Sequence, residues 1–479
     1  MGVSIRNAPD TVRDRRWAVG VFGAVAAIKI GLLFGLGPTL FPDSGLYLSL
    51  GHLIAHDSGW WRQNDWNQGP IPTLLLRPYG YPLVIALAET LAPDRYPFLL
   101  TALQTLATLA VLGLVWRIAG RFGLPARWRA LVVGLCALSG TSLFDLTILS
   151  DSLYAACFAV VILGLAGDIA CDRAPSPGRL VLMGVVWAAS MTLRDVALYH
   201  TVLPVAGIVV AGSRQRIGNR RLWGDVALFC LPVAAVVAAV MEWNLFRTGH
   251  PFFSLTGAEN WLWPGVNIAD RGLAHPFDCA GPVCQAAAAT SGHGMARVSA
   301  IVARLWQTSH PDPLQLGHLT FHYFLATIVR HPVAMVVAML GNLQFGHLAN
   351  LVFNPFVNLN TLAHYHHDIG HRLVPAIRQL WLGVRAGHWS WSVPLLGTAL
   401  LDAAAIAGLV AFFTLTPKRA VQGVRRGEPR AAAALYLWAA AVLFVFSYAA
   451  IHLEMRLAMP AVPAILVAFG WTMSGRTHP

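Results

Sequence analysis

Apolar runs long enough to cross a bilayer follow one another along most of this chain, and almost no charge interrupts them. A run of about 20 apolar residues can bury its backbone in hydrocarbon only as a helix, so this one feature rules out most folds. Of the 479 residues, 56% are hydrophobic and 12% charged, against about 25% charged in a soluble domain. Hydropathy predicts spans at 17–36, 96–118, 128–147, 150–169, 178–193, 196–212, 223–243, 333–352, 393–415, 433–450 and 457–474. Two further pieces, 79–92 and 318–330, are too short to cross untilted and read as half-spans or interfacial helices. The expectation is an all-α, polytopic integral membrane protein forming a single domain over 1–479, with about 11–13 transmembrane helices. The first run, Trp17 to Leu36, is too long for a signal-peptide core and no small-residue cleavage site follows it, so it is expected to stay as a span.

The net charge is +12, carried almost wholly by arginine; lysine occurs only at Lys29 and Lys418. The arginines fall between the apolar runs, so membrane orientation accounts for them better than nucleic-acid binding does. Four clusters stand out: Arg6, Arg13, Arg15 and Arg16; Arg117, Arg121, Arg127 and Arg129; Arg214, Arg216, Arg220 and Arg221; and Lys418, Arg419, Arg425, Arg426 and Arg430. Placing all four in the cytoplasm requires that 79–92 does not cross and that 318–352 enters and returns, turning near Arg330-His331-Pro332. The loops then left outside are 37–78, 244–317, 353–392 and the short turn 451–456.

The first of these loops holds the densest chemistry. It opens with Phe41-Pro42-Asp43-Ser44-Gly45-Leu46-Tyr47 and closes with Arg77-Pro78-Tyr79-Gly80-Tyr81-Pro82. Tyr47, Leu48, Leu50, Leu53 and Ile54 recur at helical spacing, so 44–56 is expected to be an amphipathic helix on the membrane surface. Asp43 stands where an N-cap of that helix would stand, and a carboxylate there can also act as a base. Trp60, Trp61 and Trp66 have the chemistry of interfacial anchors. Asp145 and Asp151 have cap readings of their own, Arg194 and Asp195 can pair with each other, and Lys29 is expected to snorkel out of the first span.

An Asp just past the first span, a Tyr four residues on, and a basic residue before a Pro-Tyr-Gly-Tyr-Pro step together resemble the GT-C superfamily, and within it the glycosyltransferases that use polyprenyl-phosphate sugars. That group includes the aminoarabinose transferase of lipid A and the protein O-mannosyltransferases. Shorter matches extend the resemblance along the chain: Arg95 before a long apolar run, Ser150-Asp151-Ser152-Leu153, Arg194-Asp195, and Arg456-Leu457-Ala458-Met459-Pro460. Many relatives carry Asp-Glu where this chain has Asp43-Ser44, which removes one carboxylate from any metal-bridged scheme. The resemblance implies inverting transfer of a sugar from a polyprenyl-phosphate donor to a lipid, glycan or protein acceptor at the outer face of a bacterial inner membrane. It implies Asp43 as the catalytic base, Arg77, Arg456 and Arg194 as ligands of the donor phosphate, and Tyr47, Tyr81 and Asp151 as substrate contacts. Two other readings compete: a transporter or flippase of lipid-linked sugars, and a lipid-linked oligosaccharide ligase or polymerase. A transporter would place ionisable groups at mid-membrane on broken helices and is often built from two matching halves; no internal repeat is visible here.

Two clusters remain outside that scheme. Cys279 and Cys284 lie five apart in the loop 244–317, where a disulfide or, less simply, a metal pair can form. His364, His366, His367, Asp368 and His371 crowd the loop 353–392; His364 and His367 can contact donor or acceptor, His367 and His371 can bind a divalent metal with a third ligand, or the whole cluster can be a solvated surface. No cofactor is otherwise called for. No CxxC, Walker loop or GxSxG occurs in a context that would support a soluble ATPase or hydrolase.

Overall fold

The computed structural model describes residues 12–66, 73–255, 257–309, 312–354, 357–359, 362, 392–451 and 455–475. Among these the chain is helical, and the only β pairing is an isolated parallel bridge between Thr39 and Thr147. The helices are α1 (Val12–Gly35), α2 (Ser44–His56), α3 (Thr73–Leu76), α4 (Gly80–Leu91), α5 (Tyr96–Arg121), α6 (Ala126–Leu138), α7 (Gly140–Leu143), α8 (Asp151–Ala170), α9 (Pro177–Leu193), α10 (Val202–Arg214) and α11 (Asn219–Thr248). They continue as α12 (Gly257–Asp270), α13 (Pro282–Ala288), α14 (Gly294–Ser309), α15 (Pro313–Arg330), α16 (Pro332–Asn342), α17 (Phe345–Phe353), α18 (Ser392–Arg425), α19 (Pro429–Ile451) and α20 (Val462–Met473).

Among the described residues nine helices are long and apolar enough to cross a membrane. Each of the eleven spans expected from hydropathy coincides with a helix or with consecutive helical segments, and several depart from a single long helix. The run 128–147 is α6 followed by α7 and a 3-10 turn, bent by 56°. The run 178–193 is the 17-residue α9, shorter than the nine. The piece 79–92 becomes the 12-residue α4, which at 1.5 Å per residue is too short to cross. A break at His331 separates α15, which packs with the helices of 257–309, from the candidate span Pro332–Phe353, so 318–352 is not one continuous hairpin of half-spans among the described residues.

The helices meet at two ends with different chemistry. At one end the arginine clusters find carboxylates: Arg129 with Asp14 at 3.0 Å, Arg179 with Asp168 at 2.6 Å, Arg121 with Asp168 at 3.7 Å and Arg214 with Asp172 at 3.1 Å. These positions are the start of α1, α6 and α9 and the end of α5, α8 and α10. The other end carries the loop 36–44, the start of α4, the turn 144–150, Arg194 and the end of α11. Thus α6 with α7, and α9, run from one end to the other despite being bent or short.

The core is one large cluster centred on α5, α8, α9, α19 and α20, with Phe158, Trp187 and Phe444 fully buried. The expected external loop 244–317 is not a loop. It folds into α12, α13 and α14, which with α15 bury a second apolar cluster around Leu262, Val266, Ile301 and Leu305. Cys279 and Cys284 sit at its edge, bonded to each other with their Cα atoms 5.6 Å apart.

Candidate active site

The segment after α1 is held in place before any functional group is considered. Thr39 donates its N–H to the Leu146 carbonyl at 2.8 Å and accepts from Ile148 at 3.0 Å. Ser44 donates to the Ile148 carbonyl at 2.8 Å while its oxygen accepts from the Phe41 N–H. Phe41 packs on Phe144 with ring centroids 5.6 Å apart. Beneath this junction Lys29 is not turned outward as hydropathy suggested. It is buried and pairs with Asp145 at 2.8 Å, also donating to the Ser142 carbonyl. A buried partner carboxylate is a better place for its ammonium than a long reach to the headgroups. Asp145 is correspondingly part of an ion pair rather than a helix cap.

Asp43 therefore stands at a fixed point, at the start of α2. It has helical dihedrals and its carboxylate makes no capping bond. The carboxylate is taken by two guanidiniums instead: Arg456 reaches Oδ2 at 2.5 Å and Arg77 lies 3.6 Å from Oδ1. Arg77 enters from the turn before α4, its guanidinium 5.7 Å from the centre of the Tyr47 ring. Arg456 comes from a 3-10 turn over Met455–Ala461, leading into α20. Two arginines, one of them 413 positions away, thus converge on one carboxylate.

A second pair adjoins it. Arg194, at the end of α9, holds Asp151 at 3.1 Å and donates to Ser150 Oγ at 3.4 Å. Ser150 also shares a hydrogen bond with the Tyr47 hydroxyl at 3.1 Å. Tyr47 therefore links the two pairs, its ring beside Arg77 and its hydroxyl beside the Arg194–Asp151 couple. Tyr81, expected to touch substrate, does something else: it is fully buried, packs edge-on against Tyr47 at 5.2 Å and donates to Gln104 Oε1 at 2.8 Å. Its hydroxyl is used inside the protein, so its place is support for Tyr47. His364 and His367 lie outside the described residues.

A cavity of about 200 Å³ opens on the far side of Arg77, lined by Arg77, Tyr79, Met191, Trp243, Arg247 and Ser254. Arg247 is a site residue that sequence reasoning missed. Its guanidinium lies 4.1 Å from the Trp243 ring centre and 5.1 Å from that of Tyr79, and it donates to the Tyr79 hydroxyl at 3.0 Å. Burial pushes the Tyr79 phenol up, although the Arg247 charge draws it down. The available signal was Trp243 and Arg247 four apart, at the end of a long apolar helix. The tryptophans of the first loop are not free anchors either. Trp60 stacks on Tyr79, Trp61 on Phe246, and Trp66 on His250 and Phe252, which docks the loop on the end of α11. Gly80 shows how tightly the cavity wall closes: a Cβ there would fall 2.6 Å from the Thr192 carbonyl oxygen.

The arrangement has a clear chemical character. One partly exposed carboxylate sits beside several guanidiniums, a setting that attracts anions and repels cations. The buried Nε atoms of Arg77 and Arg247 have no hydrogen-bond partner among the described residues. A phosphate oxygen is the kind of acceptor such guanidiniums take in pairs.

No protein-family model matches this chain, and no curated protein matches it. Among solved structures it is similar to ArnT from Cupriavidus metallidurans in the apo state, at 15% identity and a TM-score of 0.36 over 95% of this chain and 77% of that one. It is similar also to ArnT from the same organism bound to undecaprenyl phosphate, at 14% identity and a TM-score of 0.34 over 95% and 78%.

Proposed function

We propose that the protein is a membrane glycosyltransferase of GT-C type, moving a sugar from a polyprenyl-phosphate donor to a hydroxyl or amine acceptor at the outer face of a bacterial inner membrane. The observation that carries this reading is the convergence of Arg77 and Arg456 on the Asp43 carboxylate, at the end of the bundle away from the arginine clusters. In a chain with so few charges, a partly exposed carboxylate between two guanidiniums supports a reactive site over a structural one.

The chemistry divides between the two sides of Asp43. The donor's C1–O bond breaks as the acceptor attacks, and the departing polyprenyl phosphate gathers negative charge. Arg77 lies between Asp43 and the cavity, so it can leave its 3.6 Å contact and turn its fork to the phosphate. Arg247 offers a second guanidinium to the same cavity. Arg456 keeps Oδ2 and fixes the carboxylate plane, which leaves Oδ1 to accept the acceptor's proton. Arg194 is committed to Asp151, so its contribution is to the positive field of the site and to the placing of Tyr47. Asp43→Asn keeps the shape and one oxygen but loses the base. It should reduce transfer by about two to four orders of magnitude while binding of the lipid donor persists. Near-normal turnover by the purified variant would remove Asp43 from the chemistry.

A further inference from the structure

α2 and α4 both begin at the site, Asp43 just before the first and Arg77 three residues before the second, and they run parallel from there. Tyr47 meets Tyr81 near the site. One turn further on, Ile85 packs over Gly51 so closely that a Cβ there would lie 2.4 Å from Ile85 Cγ2. At the far ends of the same two helices three side chains converge that the proposed reaction does not use. His52 and His56, four apart on α2, both reach Glu89 of α4, with Nδ1 of His52 at 2.8 Å and Nε2 of His56 at 3.1 Å from the same Oε1. The three ligand atoms lie within 4.8 Å of one another.

Neutral histidines can donate to a carboxylate in this way without any ion, but two further features set this cluster apart. Both imidazoles crowd one oxygen, their rings 4.3 Å apart, while Glu89 Oε2 is buried with no hydrogen-bond partner among the described residues. Two nitrogens and a carboxylate are a donor set that first-row divalent metals favour, zinc among them. The 2.8 and 3.1 Å separations are close to the roughly 3.3 Å edge of a tetrahedron with 2.0–2.1 Å bonds. The imidazoles are 68% and 60% exposed, so a fourth position can be filled by water from solution.

We propose that His52, His56 and Glu89 bind a divalent transition-metal ion of the zinc class, which staples the far ends of α2 and α4. The ion sits away from Asp43 and takes no part in bond making. By tying the two helices together it holds the spacing between Asp43 at the head of one and Arg77 at the head of the other.

The test uses the full chain, purified in detergent without a histidine tag and stripped with chelator. Zn²⁺ is titrated against a chromophoric competitor, and Co²⁺ absorption reports coordination geometry. The parent should bind one equivalent with a Kd of about 10 μM or tighter, with an intense tetrahedral cobalt spectrum. His52→Ala/His56→Ala should lose at least about a hundredfold in affinity, beyond the 10–100-fold that an outer-shell loss costs. Glu89→Gln, which keeps a hydrogen-bond acceptor and so the packing, should weaken binding and alter the cobalt spectrum. His364→Ala/His367→Ala should leave the equivalent intact, and Zn²⁺ should raise the thermal midpoint of that control but not of the double variant at His52 and His56. Unchanged affinity in the His52 and His56 variant, or loss of the equivalent in the His364 and His367 control, would overturn the proposal.

Discussion

The Asp43 carboxylate is shared unequally, with Arg456 at 2.5 Å on one oxygen and Arg77 at 3.6 Å from the other. That difference separates the two arginines in mechanism and gives Arg77 a distinct prediction. Arg77→Ala should raise the KM for the lipid donor by roughly 10–100-fold, the range expected when one charged hydrogen bond is lost, and leave the acceptor KM little changed. Arg77→Lys should recover only part of this, because a point charge replaces a planar fork. Kinetics with donor and acceptor varied separately check it; an equal effect on both would place Arg77 outside the phosphate site. Lys29 and Asp145 form a different kind of pair, 1% and 0% exposed. Asp145→Asn should destabilise the protein by about 3–5 kcal/mol, since it strands a buried ammonium. Pairing it with Lys29→Met should restore most of the loss, which a double-mutant cycle on thermal unfolding in detergent will read. Asp43 and Arg77 were legible in sequence because charge beside an apolar run is rare. The burial of Lys29 was not, because its partner lies 116 residues away.

Helices were easier to find than to characterise. The amphipathic pattern of 44–56 correctly places α2, but the pattern does not say what covers its apolar face. Here α4 covers it, as Tyr47, Leu50 and Gly51 show. The segment 244–317 reads as loop because its helices are short and broken by Gly and Pro, yet α12 to α15 close a core of their own. The disulfide belongs to this scale. Cys284 opens α13 and Cys279 lies in the turn before it, so the bond ties the turn to the helix. Closing so short a loop is worth about 2 kcal/mol in a chain-entropy estimate. Alkylation under denaturing, non-reducing conditions should modify Cys136, Cys157, Cys171 and Cys230 and spare Cys279 and Cys284. Modification of all six would show that the pair is reduced.

The whole molecule separates the arginine clusters at one end from the Asp43 site at the other, and this makes topology testable. With the arginine end in the cytoplasm, as the positive-inside rule requires, Thr308→Cys on α14 should react with an impermeant maleimide in spheroplasts. Ser213→Cys, at the arginine end of α10, should react only after permeabilisation. The reverse pattern would invert the protein in the membrane. Sequence by itself determined the membrane class, the helical content and the approximate spans, because a bilayer accepts few other ways of satisfying an apolar backbone. It also marked Asp43, Arg77, Arg194 and Arg456 as charges needing an explanation. Only the tertiary structure decided which charges meet. Arg194 takes Asp151 rather than its neighbour Asp195, Arg456 closes on Asp43 from the other end of the chain, and Arg247 reaches the cavity beside Arg77. Hydropathy is a property of local composition and survives in one dimension, whereas the pairing of charges depends on which helix ends share a face of the bundle, and the packing of side chains alone settles that.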